Sequence, residues 1–129
     1  MDVLLWFHHA LLTLAALSFA LASMYAIRAL TGRPHRARRA FRAALAGFIF
    51  AVADTLGRMP IAYFSAEQTG DAGVVAATTM NLVVRNGIPT LLWGLAIFAR
   101  WRGWLADLVF ALAVLIAAAV TLLCYFIPV

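Results

Sequence analysis

Five side chains carry most of the chemistry in this chain, and all five lie in otherwise apolar sequence. Asp54 and Arg58 stand one helical turn apart in Ala53-Asp54-Thr55-Leu56-Gly57-Arg58-Met59-Pro60. Asn81 and Arg85 stand one turn apart in Met80-Asn81-Leu82-Val83-Val84-Arg85-Asn86-Gly87. His8 lies near the start of the first apolar run. A carboxylate, two guanidiniums, an amide and an imidazole can pair with one another or hold a polar ligand. Charges at membrane depth are costly, so they must be paired, hydrated or used.

Helix rise sets the level of each group. At about 1.5 Å per residue, Asp54 and Arg85 both fall about 15 Å from the ends of their runs. In an antiparallel pair they meet, so the expected cluster is an Asp54–Arg85 ion pair at mid-depth. Arg58, Asn81 and His8 are expected nearer the outer face. Such a cluster can be a satisfied network that fixes helix register. It can equally be a pocket or path open to the outer side. Two arginines against one aspartate favour an anion, a carboxylate or a polar headgroup over a cation. Arg58 and Arg85 would also hold Asp54 ionised, which makes it a poor proton carrier.

Other chemistry finds little footing. There is no His-Glu-x-x-His, no phosphate loop and no Cys pair, and the single Cys124 offers neither an intrachain disulfide nor a metal site. No catalytic residue and no metal ligand set is expected. Haem needs opposed axial ligands. His8 and His9 are neighbours about 100° apart on one helix, and His35 lies about 40 Å of helix away. That leaves only a single-His site, or a haem shared between subunits, near His8.

The elements that position these groups follow from composition. Of 129 residues, 66% are hydrophobic and 12% charged. A soluble domain is about half apolar and about a quarter charged, so this is a membrane chain. A crossing helix needs about 20 apolar residues. Four runs qualify, at about 3–29, 43–64, 74–98 and 105–127, in a single transmembrane domain. The first has no basic n-region and is expected to be a retained span, not a cleaved signal. Asp2 and Trp6 mark its start, and Tyr25 and Arg28 its end. His8, Ala15, Ser18, Ala22 and Tyr25 share one face. Ala43, Gly47, Ala51, Asp54 and Arg58 form a stripe on the second span. Thr78, Asn81 and Arg85 share a face of the third, which Gly87 and Pro89 interrupt. The fourth is the most uniformly apolar and is expected to face lipid.

Charge sets the orientation. All ten basic residues are arginine, and six lie between Arg28 and Arg42. A basic cluster between two spans is a positive-inside signal rather than a nucleic-acid patch. Arg33, Arg36, Arg38, Arg39 and Arg42 are expected to meet lipid headgroups, on a short turn at the surface. Arg100 and Arg102 mark a second inner turn, with Asp107 in reach of either. The Ser65–Gly73 segment, with Glu67 and Asp71, suits the outer side.

The expected fold is therefore all-α, an integral four-helix transmembrane bundle with both termini on the outer, non-cytoplasmic side, in a bacterial inner membrane. Its expected partners are membrane lipid and other membrane subunits or copies of itself. The first functional expectation is a non-enzymatic accessory or assembly subunit of a larger complex. The second is a small homo-oligomeric transporter or channel with an arginine-lined anion path. The third is a haem- or quinone-binding redox subunit.

Overall fold

The computed structural model describes residues 2–126, and the side chains of Asp2, Leu4 and Leu5 are not described. The side chain of the expected start marker Asp2 and the fourth span's expected end at Ile127 thus lie outside what is described. Helix α1 spans Asp2–Leu30. No Gly or Pro interrupts it before Gly32. Gly32 then takes φ +109°, and Arg33 N–H reaches back to the Arg28 carbonyl at 3.1 Å. This left-handed cap ends a helix without orphaning its carbonyls.

A 3₁₀ turn, Pro34–Arg36, leads directly into α2, Ala37–Gln68. The arginine segment is therefore the first turns of the second helix, not a separate surface turn. Alanines between the arginines favour helix. Ala37, Ala40, Ala43 and Ala44 bury one face of α2 against Ala22, Ala26 and Ala29 of α1. Small residues let the two backbones approach closely. Pro60 stays inside α2, and helix continues through Glu67. The expected outer loop shrinks to the short link 69–71. There Asp71 caps the next helix, its Oδ1 accepting from Gly73 N–H at 2.8 Å.

The third crossing is built in three pieces: α3 (Ala72–Leu82), a π turn (Val83–Gly87) and α4 (Ile88–Trp101). Pro89 explains the π turn. It has no N–H for the Arg85 carbonyl, and its ring would strike that carbonyl in a regular helix. The chain inserts one residue, and Ile88 N–H reaches the Val83 carbonyl. Gly103, at φ +77°, closes α4 as Gly32 closes α1, with Trp104 N–H on the Ala99 carbonyl at 2.9 Å. Helix α5, Asp107–Phe126, returns. It is not merely lipid-facing: Phe110, Ala111, Val114, Ala117 and Cys124 form a buried stripe.

The fold is all-helical, and four helical segments are long and apolar enough to cross a membrane. The α1 helix packs on α2 and α5, and α4 packs on α2 and α5. A single aromatic layer ties all four together. Phe19 of α1 stacks on Trp93 of α4 at 4.1 Å between centroids. Gly47 of α2 makes room, since a Cβ there would stand 2.7 Å from the Phe19 ring. Trp93 Nε1–H donates to Thr121 Oγ1 of α5 at 3.0 Å. From this layer to the arginine turns, here the basic end, the core is alanine and aromatic. The polar residues gather toward the opposite, acidic end.

Candidate functional site

The small-residue stripe of α2 carries Asp54 inward, and the carboxylate residue is only 5% exposed. It meets His8 of α1: His8 Nδ1 bonds Asp54 Oδ1. On the other side of the ring, Arg58 Nη1 lies 3.0 Å from His8 Nε2. Four residues of helix bring Asp54 and Arg58 to the same face, and one imidazole bridges them. Counting along helices fixes level only, while close packing of α1 on α2 puts His8 between the two charges.

The chain of bonds assigns the proton. A guanidinium only donates, so Nε2 of His8 accepts. The ring proton then sits on Nδ1 and is donated to Asp54. Both ring nitrogens are engaged. A haem iron or a quinone carbonyl at His8 would have to displace one of these partners.

Arg58 also lines an open groove of about 390 Å³ with Ala62, Ala77, Thr78, Asn81 and Leu82. The groove runs between α2 and α3. It has a polar wall in Arg58, Thr78 and Asn81 and an apolar wall in the two alanines and Leu82. A guanidinium has five N–H donors in a fork. One is given to His8, and the same side chain borders the groove. Asn81 therefore joins Arg58 at the groove.

Arg85 sits one turn closer to the basic end, in the π turn, half-buried with its Nε buried. It is not part of the groove wall. Asn86, which periodicity did not single out, is buried beside it at 8% exposure. Leu82, Asn86, Pro89 and Trp93 are the buried positions across the break, at spacings of four, three and four.

The arginines at the basic end divide. Arg39 lies over the Tyr25 ring at 5.9 Å. Arg33 is exposed and Arg36 half-buried. Arg38 and Arg42 line a second groove with Phe41, Arg100 and Trp101. Asp107 pairs with Arg100, while Arg102 lies over Trp104. Among the described residues, no group of three or more His, Cys, Asp or Glu could hold a metal ion. No family model, no curated protein and no solved structure matches the chain, so the site is read from its own chemistry.

Proposed function

We propose that this chain is a small membrane carrier or channel that binds a small anion at Arg58, in the groove between α2 and α3. Its place is the inner membrane of a bacterium, with both arginine turns on the cytoplasmic side and both termini outside. The observation that carries the reading is the bridge Asp54–His8–Arg58 beside a groove that Arg58 also lines. It supports a role beyond register, because the same guanidinium serves both the bridge and the groove.

The mechanism follows from charge balance. With His8 neutral, the trio sums to zero. Adding an anion alone leaves a net charge at low dielectric, and so does adding a proton alone. Adding both leaves none. A proton on His8 Nε2 also removes the acceptor that holds Arg58. Arg58 then turns its fork to the groove, where a carboxylate or an inorganic monoanion accepts from it. The His8–Asp54 bond persists, now between imidazolium and carboxylate. Proton and anion therefore enter together, and anion affinity falls as pH rises. Other charged or titratable groups of this half, among the described residues, are His9 on α1, Tyr63 and Glu67 on α2, Asp71 before α3, Arg85 in the π turn, and Cys124 and Tyr125 on α5.

Purified protein in proteoliposomes, probed with formate, acetate, nitrate and chloride, tests the reading. Uptake driven by an inward proton gradient is expected for at least one of them, and Arg58→Gln abolishes it without loss of folding. A protein that moves none of the four, and co-purifies with larger membrane proteins in fixed ratio, is instead the accessory subunit of a complex.

A further inference from the structure

The basic end holds a second groove, about 360 Å³, that the carrier mechanism does not use. Arg38 and Arg42 enter it from α2, one turn apart, and Arg100 and Trp101 from the last turn of α4, with Phe41 at its wall. Arg100 is held in place, with Nη1 donating to the Leu105 carbonyl at 3.0 Å and Nη2 bonding Asp107. Asp107 is thereby spent. Among the described residues, neither Arg38 nor Arg42 makes an ion pair with a carboxylate. Trp101 is 69% exposed, at the end of a helix long and apolar enough to cross a membrane. An indole in that position belongs at headgroup level. Phe41 is half-buried, with its ring edge-on to Phe110 at 5.8 Å.

We propose that this groove binds the phosphodiester headgroup of an anionic phospholipid. Arg38 and Arg42 take the phosphate oxygens, Arg100, held by Asp107, offers its remaining N–H donors, and Trp101 and Phe41 flank the glycerol and upper acyl chain. The five-arginine belt expected from the sequence is thus sorted. Two of its members, Arg38 and Arg42, join a third arginine, Arg100, from across the bundle. Two guanidiniums one turn apart suit the oxygens of a single phosphate, which distinguishes a site from diffuse attraction. Membrane lipid is the source of the phosphate, because the groove has an aromatic wall beside its cations and lies at the end of crossing helices.

The test uses the whole chain in nanodiscs of phosphatidylcholine doped with phosphatidylglycerol, with lipid retention read by native mass spectrometry. Phosphatidylglycerol is expected to be retained over phosphatidylcholine. R38Q/R42Q should weaken that preference about 30-fold. R28Q/R33Q, which removes equal charge from the same end, should keep it within about threefold. Equal loss in the two double variants overturns the proposal in favour of diffuse charge. Displacement of the lipid by millimolar inorganic phosphate overturns it in favour of a free-anion site. Should R38Q/R42Q fail to fold, brominated phosphatidylglycerol decides on the wild type. Its quenching of tryptophan emission must contain a component that W101F removes, and a quench unchanged in W101F rejects the site.

Discussion

His8 holds the account together at the residue scale, because one ring joins an acid to a base-side guanidinium. Asp54→Asn leaves an acceptor for Nδ1–H but removes the negative charge. The trio is then positive before any proton arrives, and an anion alone neutralises it. Nitrate affinity in Asp54→Asn is expected to lose its pH dependence, whereas in the wild type it falls by up to about tenfold per pH unit on the alkaline side. Titrations by microcalorimetry at several pH values check this; an unchanged slope in Asp54→Asn contradicts it. The members of the cluster were legible in the sequence. Helix rise put Arg58, Asn81 and His8 near one level and Asp54 with Arg85 about one turn deeper. The pairing was not legible, since level says nothing of which face of α1 meets α2. That face is set by the alanines at Ala22, Ala26, Ala37 and Ala40, far from the charges they align.

At the scale of elements, two contacts decide whether the helices keep their places. Gly47 accepts the Phe19 ring, and an added methyl would meet it at 2.7 Å. Phe19 has Trp93 stacked on it and has little freedom to retreat. Gly47→Ala is expected to cost about 1–3 kcal/mol, read as a lowered melting temperature in detergent, with Gly57→Ala, open on all sides, as the neutral control. The π turn is the second device. Pro89→Ala restores the N–H that the Arg85 carbonyl lacks, so the turn is expected to relax to α-helix. Each residue counts for about 100° of rotation, so Asn81 and Thr78 would swing away from Arg58. In a Cys124→Ser background, disulfide trapping between cysteines at 62 and 77 should form readily and drop sharply when Pro89→Ala is added. Equal trapping would show that Pro89 does not set the face. Gly87 and Pro89 marked the interruption in the sequence, but its form was hidden. Asn86 falls on the Leu82, Pro89 and Trp93 face, a face that the row of Thr78, Asn81 and Arg85 did not single out.

At the scale of the molecule, the chain divides its work between ends. The alanine and aromatic core at the basic end closes the bundle, and the acidic end keeps its polar groups beside an open groove. Apolar run lengths and the Gly-ended arginine turns made the four crossings readable in advance. The second helix ran longer than expected because arginine between alanines is no obstacle to helix. The proposed orientation places 69–71 outside and Arg33 inside. A cysteine at Thr69 should then react with an impermeant maleimide in intact cells, and one at Arg33 only after permeabilisation. The reverse pattern would invert the carrier.

The central claim is that an anion and a proton enter the same site together. A sensitive pH electrode on the purified, unbuffered protein measures this directly as formate, acetate, nitrate or chloride is added. One proton taken up per anion bound, with no uptake in His8→Ala or Arg58→Gln, is the predicted result. Anion binding with no proton movement, or no binding of any of the four, would contradict it.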